Sequence, residues 1–265
     1  MFDTHAHLDQ ADFDADRADV LRRAAQAGVE AVVCVGVDVA SSRAAIQLAQ
    51  QHPAVYAAVG IQPNSAGQAQ PGDWEHIVAL AQQPRVVAIG ETGLDRYWDF
   101  TPFAVQQEYF LRHLHLAQAT GLPILIHCRQ AEADLLPMLQ HAGSHGPLRG
   151  LLHAFSADAA TATAALELGL YISFAGNVTY TNKKFQPLVE VARQIPSDRI
   201  LLETDSPYLV PHPLRGKQKR NEPAFMAHTL AGLAALRNVS AAELDRQTTA
   251  NARTLFGLQP PPVPT

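Results

Sequence analysis

The chain has 265 residues, 47% hydrophobic and 17% charged, enough apolar matter for a sizeable core and unlike the make-up of a disordered protein. Its net charge of -5 and pI near 6.2 give no global attraction for nucleic acid, so such a partner would need a local basic patch. Two cysteines exclude a disulfide framework and suit a reducing compartment, and no apolar run approaches the ~20 residues of a membrane span; with no signal-peptide pattern at the start, a cytoplasmic protein without membrane contact is expected.

In chain order, short β-like runs alternate with helical patterns. The run FDTHAHLD, Phe2 to Asp9, predicts a strand ending at His7. Positions i and i+2 of a strand share a face, so His5 and His7 aim at one point and make half a metal site. A helix is expected over Asp14 to Ala27, then a buried strand Val29 to Gly36 and a helix Ser41 to Gln51 with Ser41 as its N-cap. Strand Ala54 to Ile61 precedes helix Asp73 to Gln83, and strand Val86 to Glu91 precedes a helix from about Pro102 to Thr120. The second half repeats the beat. Strands are expected at Pro123 to Cys128, Arg149 to Ala154, Leu170 to Phe174 and Ile200 to Asp205. Their helices fall at Ala131 to His141, Ala157 to Leu168 and Phe185 to Gln194, with two more near Pro223 to Leu236 and Ala241 to Phe256.

Eight strand and helix pairs, with strands apolar enough for burial on both faces, predict an α/β fold: a single (β/α)8 TIM barrel. No Gly-rich G-x-G-x-x-G follows any strand, which argues against an open dinucleotide-binding sheet. One domain is assigned to residues 1–259, followed by a Pro-rich tail at 260–265.

His5, His7, Glu91, His127, His153 and Asp205 all fall at the carboxyl ends of predicted strands. In such a barrel these ends form the one face where active sites are built. Six ligands exceed what one catalytic zinc takes from protein, so two divalent ions bridged by a carboxylate are expected, Glu91 being the best bridge. Asp205 would orient a metal-activated water, take its proton and pass it to the leaving group, making the chemistry hydrolysis. Asp95, in GETGLD, is read as a helix cap or a turn hydrogen bond. His113 and His115 lie in a helix, where i and i+2 do not share a face, and are set aside as surface residues together with His52, His76, His141, His145, His212 and His228. The run LRGKQKR after the eighth strand offers Arg215, Lys217, Lys219 and Arg220 as a phosphate grip or as a solvated loop, with Arg129 beside His127 as a further cation.

These motifs, FDTHAHLD, AIGETGLD, PILIHCR, LHAFS, LLETDSPYL, RGKQKRNEPAF and ANARTLFG, resemble the TatD-like metal-dependent hydrolases, often called TatD DNases, over nearly the whole chain. The resemblance implies an amidohydrolase-type TIM barrel, His5, His7, Glu91, His127, His153 and Asp205 as metal ligands, and divalent-metal-dependent hydrolysis, with deoxyribonuclease activity in some members. The family usually carries G-x-H-P-H after strand three, where this chain has Gly60-Ile61-Gln62-Pro63-Asn64, and H-x-R-D-A where it has His127-Cys128-Arg129-Gln130-Ala131. Gln62 and Asn64 can still hydrogen-bond a substrate but are poor metal ligands. The resemblance makes DNA the expected substrate, while these departures bear on the substrate alone; a small ester, lactone or amide is the alternative and a non-catalytic partner-binding barrel the third reading. The metal is Zn, Mn, Mg, Co or Ni, and no obligate protein partner is evident.

Overall fold

The computed structural model describes residues 1–259; the Pro-rich tail expected at 260–265 lies outside the described residues. Strands β1 (Phe2–Ala6), β2 (Ala31–Val35), β3 (Val55–Val59), β4 (Val86–Asp95), β5 (Ile124–Arg129), β6 (Gly150–Leu152), β7 (Tyr171–Phe174) and β8 (Ile200–Leu202) form one parallel sheet in sequence order. A parallel bridge from Ala6 to Ser206 brings the two edges together, with His7 N donating to Ser206 O at 2.7 Å and Asp205 N to His5 O at 2.9 Å. The expected (β/α)8 TIM barrel is the fold.

Around it run α1 (Arg17–Gln26), α2 (Val39–Gln51), α3 (Asp73–Leu80), α4 (Phe103–Thr120), α5 (Glu132–His145), α6 (Ala159–Glu167) and α7 (Gln186–Gln194), then α8 (Met226–Arg237) and α9 (Ala241–Phe256). The α2 cap is not Ser41 but Asp38: its side chain accepts from Ser41 N, and Ser41 answers from the third helical position as a reciprocal capping box. The helix consequently starts two residues before the expected Ser41. Asp158 and Ser240 cap α6 and α9 in the same way, accepting from Thr161 N and Glu243 N.

Alternation along the strands divides the core in two. Ala31, Val33 and Val35 belong with Phe2, Leu125, Leu151 and Leu201 to one cluster, whereas Val32 and Cys34 join a larger one that packs strands against helices. The first cluster contains Ala252, Leu255 and Phe256 of α9, and Phe256 stacks on Phe2 with ring centroids 5.6 Å apart. It therefore fills the barrel, and α9 closes the amino-terminal end. The opposite end stays open for chemistry.

Candidate metal centre

The carboxyl rim gathers the six residues. His5 lies in β1 and His7 just past it, Glu91 in β4, His127 in β5, His153 one residue after β6, and Asp205 three residues after β8. Asp205 holds φ at +52°, a left-handed conformation that Asp tolerates better than most residues and that turns the chain at the rim. Glu91 Oε1 lies 3.1 Å from both His127 Nδ1 and His153 Nε2, and its Oε2 lies 3.6 Å from both His5 Nε2 and His7 Nε2. Asp205 Oδ1 is 3.6 Å from His7 Nε2 and 4.0 Å from His5 Nε2. Three ligand triads result: His5, His7, Glu91; Glu91, His127, His153; and His5, His153, Asp205.

Close approach of β4 and β5 depends on Gly93. It pairs with His127 in the parallel ladder at φ +138°, and a Cβ there would sit 1.9 Å from the His127 carbonyl oxygen. Only glycine allows Glu91 and His127 to meet at that spacing.

Ring orientation is fixed from behind. His7 Nδ1 donates to Val35 O at 2.9 Å, and His127 Nε2 donates to Asp95 Oδ2 at 2.9 Å, which turns the other nitrogen of each ring inward, where it can give up a proton and offer its lone pair to a cation. Two inward nitrogens then face each other at 3.2 Å (His5 with His7) and 3.1 Å (His127 with His153). Nitrogens sharing one tetrahedral cation at 2.0–2.1 Å stand roughly 3.3 Å apart, so both pairs have ligand spacing. His5 Nδ1 and His153 Nδ1 are buried with no hydrogen-bond partner among the described residues. Glu203 Oε1 lies 3.4 Å from His153 Nδ1 and accepts from Ala154 N at 2.7 Å, while its Oε2 is buried and unpartnered.

The electrostatics ask for positive charge. Burial opposes ionisation of Glu91, yet the imidazoles of His153, His127 and His5 hold its carboxyl well below the usual carboxylate range. Asp205 is likewise held low, against its burial, by His7, His153 and His5. In return, and against burial, Asp205 and Glu91 push His7 up to about 9, and Glu91 and Glu203 push His153 well above the ordinary imidazole value. His5 moves down, through burial and the neighbouring His153. Buried carboxylates among imidazole nitrogens, hard oxygen donors beside borderline nitrogen donors, fit divalent cations.

The cluster opens into a cleft of about 600 Å³ that Gln62, Asn64, Asp95, Trp98, Phe100, Arg129 and Tyr208 also line. Asn64 Nδ2 donates to Asp95 Oδ2 at 3.1 Å, so this amide braces the carboxylate that orients His127. Gln62 Oε1 accepts from Asn64 N at 3.0 Å. The cationic run is not gathered there. Arg220 binds both oxygens of Asp16 at 2.7 and 2.9 Å and the Asp12 carbonyl at 2.6 Å. Arg215 lies over Tyr180, its Cζ 3.8 Å from the ring centroid, and Lys217 and Lys219 are exposed outside the cleft lining.

Of three further buried polar residues, Asp95 and His113 do something other than, or more than, their sequence reading gave them, and Glu203 had no role there. Asp95 does serve its turn, accepting from Tyr97 N and Trp98 N through Oδ1, but its other oxygen holds His127. The signal was there in a carboxylate four residues beyond Glu91 on an unusually polar strand end. Glu203 was visible only as a charged residue inside the expected strand Ile200 to Asp205 and was not singled out. His113 is not a surface residue: it is fully buried, its Nε2 accepting from Ile61 N at 2.9 Å and its Nδ1 donating to Tyr109 O at 2.6 Å. The helical geometry separates it from exposed His115 as expected, but the inward face of α4 runs through Gln106, Phe110, His113, Leu114 and Ala117.

A ligand cluster of this composition on the carboxyl rim of a parallel eight-stranded barrel defines a class, the metal-dependent hydrolases. Within it the chain belongs to the family described as TatD related DNase, whose model matches residues 2–257. It is 39% identical to the uncharacterized metal-dependent hydrolase YabD of Bacillus subtilis (strain 168) over 97% of this chain and 98% of that protein. It is 37% identical to the 3'-5' ssDNA/RNA exonuclease TatD of Salmonella typhimurium, with the same coverage. The crystal structure of YJJV, a TatD homolog from Escherichia coli K12, superposes with a TM-score of 0.90 at 29% identity, over 98% of each chain. No helix among the described residues is long and apolar enough to cross a membrane.

Proposed function

We propose that the protein is a nuclease that hydrolyses phosphodiester bonds in DNA, acting in the cytoplasm through one barrel domain spanning residues 1–259. The reading rests on Glu91, whose two oxygens each face a different pair of imidazole nitrogens, His127 with His153 and His5 with His7. One carboxylate between two nitrogen pairs is the position of a bridging ligand, from which we infer two cations, drawn from Zn, Mn, Mg, Co or Ni. Such ions, when bound, supply Lewis acidity at a phosphoryl oxygen and bring the pKa of a water toward 7.

The chain's own residues do the rest. Glu91 holds the two halves of the site at fixed separation, and its ionised state is secured by the imidazoles around it. Asp205, also held ionised and lining the cleft, takes the proton of the attacking water at Oδ1 and returns it to the departing oxygen. Arg129, Gln62 and Asn64 line the same cleft and position the phosphate through N–H donors. Lys217, Lys219 and Arg215 stand outside the lining, where they meet phosphates farther along the strand; Arg220 is engaged with Asp16 and contributes to the shape of that loop. The exonuclease names of relatives such as the Salmonella protein support a nucleic-acid substrate.

One observation favours a small ester or lactone instead: Arg129 is the only Lys or Arg lining the cleft among the described residues. Turnover of the metal-loaded protein on single-stranded DNA, beside a panel of small esters and lactones, separates the two. We expect the strand to be cleaved, and Asp205→Asn to reduce the rate by at least 100-fold, about the contribution of a general base. Ester turnover without strand cleavage would select the second reading.

A further inference from the structure

Six large apolar or aromatic side chains are exposed among the described residues: Val78, Tyr97, Trp98, Phe100, Leu111 and Tyr208. Three of them, Trp98, Phe100 and Tyr208, line the metal-centre cleft, and Tyr97 packs edge-on against Trp98 with centroids 4.8 Å apart. Aromatic surface left to water and collected at one opening marks a contact surface. Trp98 and Phe100 stack on each other with centroids 5.1 Å apart and planes within 12°, and both remain exposed, so the pair offers parallel rings onto which a further flat group can stack. Arg129 lies on the same cluster, its Cζ 3.8 Å from the Tyr97 centroid; its carbonyl accepts from Arg96 N, while its guanidinium makes no hydrogen bond to a described residue, so its in-plane N–H groups are available to a ligand.

These residues follow β4, whereas Tyr208 follows β8, half-way round a ring of eight strands. The aromatic face and Tyr208 therefore oppose each other across the cleft. Tyr208 sits beside the ligand cluster, its ring 6.2 Å from that of His7 and its hydroxyl 3.1 Å from Gln10 Oε1.

Building on the nuclease reading, and taking the single-stranded substrate from the names of relatives such as the Salmonella exonuclease, we propose that Tyr97, Trp98, Phe100 and Tyr208 form the base-binding part of the site and stack the bases of the strand next to the metal centre. A flat ring can cover a base only where that base is not already stacked and paired, so a duplex offers these side chains nothing. Every base has a π-face, so the grip is tolerant of sequence. A cleft of about 600 Å³ has the size of a small-molecule pocket, roughly 300–1,000 Å³, and admits a chain end rather than a double helix. Arg129 contributes N–H contacts to the phosphate or base edge beside the stack.

The test compares the metal-loaded wild type with W98A/F100A on a single-stranded oligonucleotide and on the same strand with abasic residues near its ends. We expect the double substitution to raise KM on the base-bearing strand by tenfold or more relative to its effect on the abasic strand, with Trp98→Tyr close to wild type. Quenching of tryptophan fluorescence in metal-loaded Asp205→Asn by the base-bearing strand, absent with the abasic one, gives a readout independent of the loop substitutions. Equal losses on both strands, or no quenching, overturn the proposal while leaving the nuclease reading in place. A wild type that cleaves neither strand but hydrolyses small esters removes the nuclease reading, and this proposal with it.

Discussion

Asp95 is where one side chain does two jobs with its two oxygens. Oδ1 ties the turn at Tyr97 and Trp98, and Oδ2 accepts from His127 and Asn64. Burial raises its cost of ionising, but the His127 contact and the Trp98 amide hold its carboxyl down to about 2, so it is an anion at any working pH. An anion behind a ligating imidazole fixes the tautomer and raises the basicity of the inward nitrogen. Asp95→Asn keeps the shape and removes the charge. Metal affinity should fall by about 10–100-fold, measured by competition with a chromogenic chelator. Affinity equal to wild type would confine Asp95 to its turn.

At the scale of elements, α4 and the loop after β3 are joined by a buried neutral histidine. Burial pulls His113 down to about 4, against an ordinary value of 6.5. Between those values the unfolded chain binds a proton that the folded protein refuses, so stability is full above 6.5 and drains away as pH falls toward 4. At about 1.4 kcal/mol per pKa unit the loss is roughly 3 kcal/mol. Other groups titrate in the same window, so the comparison is with His113→Gln, whose amide oxygen can still accept from Ile61 N. Urea unfolding at pH 7 and pH 4 should show the stability gap between wild type and His113→Gln shrinking by about that amount. A gap independent of pH would mean that His113 is not the group refusing the proton. The loop it braces carries Gln62 and Asn64 to the cleft, so the element's stability is also the site's.

Across the whole molecule, candidate ligands from β1, β4, β5 and the loops after β6 and β8 converge, and a cation held by them would link the two sides of the barrel. Binding the folded but not the unfolded chain stabilises by mass action, about 2.7 kcal/mol when the free ion is at 100 times its Kd. For a chain of this size, chelation should lower Tm by roughly 5–10 °C, and adding back the working metal should restore it. A melting curve indifferent to chelator would argue against an ion bridging the strands. A second long-range tie does not depend on metal: Arg23 pairs with Glu222 at 2.7 Å and with Asp16 at 3.0 Å, and Asp16 with Arg220, fastening α1 to the segment after β8.

The barrel and the types of candidate ligand are legible in the amino-acid sequence alone. A parallel strand covered on both faces must be an apolar run, so eight such runs separated by helical patterns announce the architecture, and a histidine or carboxylate ending such a run stands out because burying it unpaired is costly. The sequence could not say which atoms meet. The ladder sets Gly93 beside His127 and Asp95 beside Arg129, and that register puts Asp95 behind His127 when β4 runs four residues past its expected end. Arg220 looked free because its partner Asp16 lies 204 residues away, and His113 looked exposed because only packing reveals which face of α4 turns inward. Local pattern fixes what an element is, since period and burial are read over a few neighbours; contacts between elements depend on register and closure, which exist only in the assembled fold.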